Sequence, residues 1–254
     1  MKTMRYFFFL LLLACQPAWT QDADSWDWRI APYLWTVGID GELVAGQITQ
    51  DIEVSFGDIL SDFDVGGSVY AEFGKANHSV HFDYTYLRLK PDPTVFPSPP
   101  FAEGSQLKTK MTINIFEPAY NYRYDGPGGG AVVVGARYMD IELRMTPELT
   151  GPAPIDPDPV ETGPNWWDGF IGLKTNHSIS EKWDFNFYGT IGHGGSTLPW
   201  TLQGVFARRY SNNNQLGLGV RIWGIDYSKD KGLVDSYTAI DMTFYGLIIG
   251  YEFN

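Results

Sequence analysis

The sequence predicts an all-β protein: a single closed antiparallel transmembrane β-barrel of about ten strands (~8–12), with short turns at one end and long loops at the other. Three observations carry that prediction. Apolar and polar residues alternate with period two from Trp26 to Asn254, which marks strands with two different faces. The connections between those strands alternate strictly between short and long, and a soluble sandwich, the competing architecture, has no reason to sort its loops by end. Beyond residue 20 no apolar run approaches the ~20 residues of a membrane-spanning helix, so any crossing falls to strands.

The 254 residues suit one domain. Aromatics make up 16%, Gly 28 positions, and the net charge is −12. A nucleic-acid partner is excluded, because phosphate binding needs clustered Lys and Arg. The one Cys is Cys15, which leaves no disulfide framework and no thiolate metal site. It lies in MKTMRYFFFLLLLACQPAWT, where Lys2 and Arg5 precede a short apolar stretch from Phe7 to Cys15 and then small residues. That layout is a secretory signal. Ala18-Trp19-Thr20 favours cleavage near Thr20, while Leu12-Leu13-Ala14-Cys15 resembles a lipoprotein box and leaves acylation of Cys15 as the alternative. The expected organisation is a signal peptide over 1–20 and a barrel domain over 21–254, located in the cell outer membrane.

Strands are expected at about 26–38, 64–74, 78–89, 106–124, 131–145, 166–179, 183–192, 200–210, 215–228 and 238–254. The last is clearest: Tyr245, Leu247, Ile249, Tyr251 and Phe253 share one face, and Gly246, Ile248, Gly250 and Glu252 the other. Lys75-Ala76-Asn77, Asp125 to Gly130, Ser180-Glu181-Lys182 and Ser211 to Asn214 read as tight turns, placed in the periplasm. The long, extracellular connections are 39–63, 90–105, 146–165, 193–199 and 229–237. The Pro-rich 90–100 and 151–159 read as stiff segments unable to join a ladder. Within 39–63, Phe56-Gly57-Asp58-Ile59-Leu60 suggests a short helical turn, and 48–56 an extra strand.

With the apolar face outward, the inward acids are Glu72, Asp83, Glu117, Asp168, Asp184 and Glu252, and the inward bases Arg123, Arg137, Lys174, Arg209 and Arg221. This near balance predicts a lumen charge network, because an unpaired charge in a narrow interior is costly. Tyr70 and Tyr188 add bulk. Keeping the faces sorted along 106–124 requires a slip at Phe116-Glu117-Pro118, for which a bulge is the natural cause. The surplus acids then fall in loops: Asp40, Glu42, Asp51, Glu53, Asp58 and Asp62 in the first, Glu148, Asp156, Asp158 and Glu161 in the third. Divalent cations are their candidate ligands, though a solvated acidic loop explains them as well and no EF-hand spacing is present. Trp26, Trp28, Tyr120, Tyr122, Tyr124, Trp183, Tyr210, Tyr251 and Phe253, with Trp166 and Trp167 towards the long-loop end, suggest two aromatic girdles.

Catalytic signals are weak. There is no G-x-S-x-G, H-E-x-x-H or phosphate loop. His193 and Ser196, in His193-Gly194-Gly195-Ser196, are the one catalytic pair worth naming. His81 points inward beside the acids and His177 lies near a short turn, so neither joins His193 in a metal cluster; no metal and no cofactor are expected.

The stretches WRIAPYLW (Arg29, Pro32 and Trp35 within it), GIDGEL, VSFGDILSDFDVG at 54–66, WDFNFYGTIGHGG, LGLGVRIWGIDY and GLIIGYEFN together resemble a widespread, uncharacterised family of Gram-negative outer-membrane β-barrels of the opacity-protein and small-porin kind. The resemblance covers nearly all of the chain after the leader, and VSFGDILSDFD is its most specific part. It implies an integral barrel and no known substrate. The expected partners are outer-membrane lipid and lipopolysaccharide, and the barrel-assembly machinery through a C-terminal strand in which Asn254 follows Phe253. The expected function is non-enzymatic, as a structural or surface protein or a narrow cation-favouring pore. The alternatives are an outer-membrane lipid-processing enzyme (lipid A or phospholipid hydrolase) and a soluble periplasmic ligand-binding barrel. Outward Ile249 should reject Arg, and inward Gly250 should accept it.

Overall fold

A computed structural model describes residues 25–45, 48–54, 63–90, 93–96, 98, 102–124, 130–150, 158–229 and 238–254. Its strands are β1 (Trp26–Ala45), β2 (Ile48–Val54), β3 (Phe63–Lys75), β4 (His78–Leu89), β5 (Thr94–Val95), β6 (Gln106–Tyr124), β7 (Gly130–Glu148), β8 (Val160–Thr162), β9 (Asn165–Ser180), β10 (Trp183–Gly194), β11 (Trp200–Arg209), β12 (Gln215–Lys229) and β13 (Thr238–Glu252). Ten of them close into an antiparallel barrel, running from β1 through β13, β12, β11, β10, β9, β7, β6, β4 and β3 back to β1. Closure removes the free edges that an open sheet would leave.

Each expected strand is present, with β1 running on to Ala45 and β7 to Glu148 at the long-loop end. The 48–56 segment holds β2, paired with β1 from Ile39–Val54 to Ala45–Ile48. The leader and the 56–60 turn lie outside the described residues. One Pro-rich loop does join a ladder: Thr94 and Val95 pair with Leu107 and Gln106. Lying between Pro93 and Pro97, they keep the N–H groups that proline lacks. Asp40, Glu42, Asp51 and Glu53 lie on β1 and β2 rather than in a loop.

Tight turns join β3 to β4 at 76–77, β9 to β10 at 181–182 and β11 to β12 at 210–214, at the end that also carries Trp26 and Asn254. Asn213 turns through a left-handed φ of 65°, which Asn tolerates because its side chain bonds locally. Ala76, at φ 53°, has no such compensation.

The outer face carries a continuous apolar belt. Val134, Ile171, Leu218 and Ile249 are each about half exposed, at 53, 54, 56 and 48%. Near the tight turns the belt ends in Trp26, Trp28, Tyr120, Tyr122, Trp183, Tyr210 and Phe253, all exposed. At the other end an aromatic row crosses four strands in direct register, Tyr84–Phe116–Tyr138–Trp167. Trp166 is not part of that girdle: it faces inward, 6% exposed, stacked on Tyr227 at 4.3 Å.

The interior has two storeys, because side-chain chemistry inverts along each strand while the pleat does not. On β13 the outward residues are Phe253, Tyr251, Ile249, Leu247 and Tyr245, then Thr243 and Asp241. The inward ones begin at Glu252 and Gly250 and end at Phe244, Met242 and Ile240, all three buried. On β12 inward Arg221 gives way to Trp223, Ile225 and Tyr227, as outward Ile222 gives way to Gly224 and Asp226. The lower storey, near the tight turns, is thus polar inside and apolar outside, and the upper storey is the reverse. The buried cluster of Val37, Ile39, Leu87, Leu89, Ile113, Met139, Ile141, Phe244 and their neighbours fills the upper storey.

This inversion corrects the slip expected at Phe116-Glu117-Pro118. The register of β6 against β4 runs unbroken from His78–Tyr122 to Leu89–Met111. Against β7 it keeps the same count on both sides of the two rungs at 117 and 118 where pairing lapses. Glu117 and Ile115 both point inward; the first belongs to the charged storey and the second to the apolar one.

Candidate functional site in the barrel interior

Alternate residues of every barrel strand deliver their side chains to the lumen, and in the lower storey those side chains form linked ion-pair groups. Nearest the tight turns, Glu72 on β3 accepts from Arg29 Nη2 at 2.6 Å, Lys174 Nζ at 3.1 Å and Ser79 Oγ at 2.7 Å, and from the Tyr70 hydroxyl. Arg123 reaches both Glu72 and Asp27 at 3.7 Å. Beside it, the fully buried Asp184 accepts from Arg209 Nη2 at 2.5 Å and Ser178 Oγ at 2.7 Å.

Further in, Glu117 accepts from Arg137 through Nε at 2.7 Å and Nη2 at 2.6 Å, and from the Tyr188 hydroxyl at 2.5 Å. Arg137 Nη2 also donates to Thr201 at 3.0 Å. Asp83 accepts from Tyr33 at 2.6 Å and from Arg221 Nη2 at 2.9 Å, while Arg221 donates to Gln203 at 2.8 Å and to Tyr33 at 3.0 Å. His81, 1% exposed, contacts Asn121 at 3.0 Å and lies 3.8 Å from Glu117. Buried carboxylates held by charged and neutral donors together meet the condition under which burial of charge is tolerated.

The predicted inward residues therefore all face the lumen, but they do not form one network. Glu252 sits half-buried at the rim, where Asn254 donates to it at 3.2 Å. Asp168 has no ion pair among the described residues. Its carboxylate accepts from the Ser196 N–H at 2.7 Å, the Ser196 hydroxyl at 2.9 Å and Trp166 Nε1 at 2.9 Å, and this pins the 195–199 loop into the barrel mouth. Arg29 and Asp27 are lumen residues that the charge reading missed. The period-two run Asp27, Arg29, Ala31, Tyr33, Trp35 on β1 is the signal that finds them.

His193 and Ser196 are not brought together. Ser196, fully buried, is spent on Asp168, and exposed His193 meets the Thr197 carbonyl through Nδ1 at 2.8 Å. Among the described residues no cluster of three His, Cys, Asp or Glu side chains could hold a metal ion.

Of the acids expected in loops, Asp58, Asp62 and Asp156 lie outside the described residues. Glu148 pairs with Lys108 at 2.6 Å and Glu161 with Arg144 at 3.0 Å; the hydrogen bonds of Lys108 and then Gln106 hold the Glu148 carboxyl below its usual range. Glu42, another of them, stands directly opposite Asp241 of β13, which in turn stands opposite Asp226 of β12, all three exposed on the outer face of the upper storey. Like charges in such rungs repel, and immersion in water is what makes the row tolerable.

Between the storeys lies a cavity of about 20 Å³ lined by Trp35, Asp83, Thr85, Ile115, Glu117, Arg137, Tyr188, Thr201, Arg221 and Trp223.

These features define a ten-strand antiparallel β-barrel with an apolar outer belt and a filled interior. No family model matches the chain, and no curated protein matches it. Among solved structures it is similar to Neisserial surface protein A, at 12% identity over 90% of this chain and 98% of that one, with a TM-score of 0.33. It is also similar to the translocator domain of the autotransporter NalP from Neisseria meningitidis (9%, 89% and 88%, TM-score 0.31) and to the Pseudomonas putida toluene transporter TodX (11%, 91% and 90%, TM-score 0.29). Likenesses this weak carry neither an activity nor a ligand to this chain.

Proposed function

We propose that the protein is an integral outer-membrane β-barrel with a structural or surface role, closed to solutes. The observation that carries this reading is the uninterrupted apolar belt around a wall whose backbone groups are paired strand to strand. Such a surface is stable in hydrocarbon and aggregates in water. On β13 the belt runs from Tyr245 to Phe253, about nine residues, close to the 9–11 of a tilted membrane-crossing strand. The aromatic rings at both ends suit the two headgroup levels. The resemblance of VSFGDILSDFDVG and the C-terminal strand to the outer-membrane family points the same way, as does the signal-like leader.

Closure to solutes is favoured over a pore because the lumen is filled twice, by ion pairs below and by apolar side chains above. Ten strands also enclose far less space than the 16–18 of open porins. The test combines fractionation with planar-bilayer recording. The protein is expected in the carbonate-resistant outer-membrane pellet, migrating differently in gels before and after heating, and with conductance far below that of a porin. Recovery in the soluble periplasmic fraction would end the membrane reading, and large stable channels would end the closed one.

A further inference from the structure

The cavity between the storeys has a composition that the packing around it leaves unexplained. Trp35 and Trp223 both line it and are 6 and 3% exposed. Neither indole Nε1 has an acceptor within reach among the described residues. An indole nitrogen is a donor only, and a buried donor without a partner is rare enough to require a physical account.

The two indoles sit in matched settings. The Arg221 guanidinium lies 5.2 Å from the Trp35 ring and is paired with Asp83 at 2.9 Å; the Arg137 guanidinium lies 5.2 Å from the Trp223 ring and is paired with Glu117 at 2.6 Å. Two carboxylate–guanidinium–indole sets thus border one space. Within each set the charges cancel, and the carboxylates already accept from Tyr33, Tyr188 and the arginines. What the two indole N–H groups lack is an acceptor.

We propose that this cavity binds one small hydrogen-bond acceptor, a water molecule or a monovalent halide, held between the indole N–H groups of Trp35 and Trp223. Size supports the choice: about 20 Å³ exceeds the ~10–15 Å³ that one water needs and excludes a sugar or a lipid headgroup. Water and halide share the acceptor chemistry and differ in charge. The site lies where the polar lumen meets the apolar plug, so its occupant is the last polar particle before the dry upper storey.

The test uses the full barrel, crystallised from detergent once without halide and once with sodium bromide, with diffraction recorded at the bromine edge. Density within about 3.5 Å of both indole nitrogens is expected. An anomalous peak there identifies the halide; ordinary density without it identifies water. No density between the indoles in either crystal overturns the proposal. A second measurement follows the Trp35 indole N–H by NMR in Trp223→Phe, which preserves the ring packing and removes one donor. Its resonance should shift and its cross-peak to water or its bromide response fall several-fold. An unchanged Trp35 signal would mean that the two indoles share no ligand.

Discussion

Arg221 ties together three strands besides its own, through Asp83 on β4, Tyr33 on β1 and Gln203 on β11. Removing it leaves Asp83 with a buried charge and a single neutral donor. Arg221→Ala should therefore cost about 3–5 kcal/mol, read as a fall in the urea midpoint of folding into lipid vesicles. The double variant Arg221→Ala/Asp83→Ala should recover part of that loss, because no charge is then stranded; a double variant less stable than the single one would refute the account. Glu148 is the opposite case, exposed in the upper storey. With its pKa lowered in the folded state, its pairing is intact above the ordinary glutamate range and is lost as pH falls through the lowered value. Lys108→Ala should raise the Glu148 titration midpoint towards that of a free glutamate, as followed by carboxyl NMR.

At the scale of the element, β13 gives the sharpest test of where lipid ends. Ile249 and Thr243 lie on the same outward face of the same strand, on either side of Tyr245. Arg at Ile249 should cost about 2–4 kcal/mol, as at the bilayer midplane. Arg at Thr243, directly opposite Asp40 and Gly224, should be neutral or mildly stabilising. Equal penalties would show that the apolar belt extends higher than Tyr245. Gly250 cannot serve as the tolerant lumen control that its inward position suggests. A Cβ there would stand 2.7 Å from the Tyr33 Cβ, so steric strain would be confounded with polarity.

For the whole molecule, the sorted ends predict an orientation on the membrane reading proposed above. Long loops at one end and tight turns with both ordered strand termini at the other correspond to the bias of periplasmic turns towards brevity. A Cys placed at Asp158 should react with an impermeant maleimide on intact cells, and one at Asn213 should react only after the outer membrane is opened. The reverse pattern would invert the barrel. On the same reading, the upper part, apolar within and charged without, should stand clear of the bilayer like a small water-soluble barrel. The row Glu42, Asp241 and Asp226 lies on that part, so residual conductance should favour cations.

Strand number and the faces of most strands, though not of β6 throughout, were legible in the sequence, because pleat alternation is a local property that reads directly from residue to residue. The inward charged residues followed from the same alternation, down to Asp184 and Arg221. The partners of those charges did not. Arg221 meets Asp83 and Lys174 meets Glu72 across the lumen, and such pairs depend on barrel closure and stagger, which no single strand encodes. Alternation also has no marker for a change of solvent. Ile113, Ile115 and Glu117 share one face of β6, and only the closed barrel reveals that the first two meet an apolar plug while the third meets Arg137. Reading that change as a bulge assumed one environment along the whole strand. The tertiary structure supplies two, because closure sets Glu117 against Arg137 in the charged storey and Ile113 inside the apolar plug further along the same face.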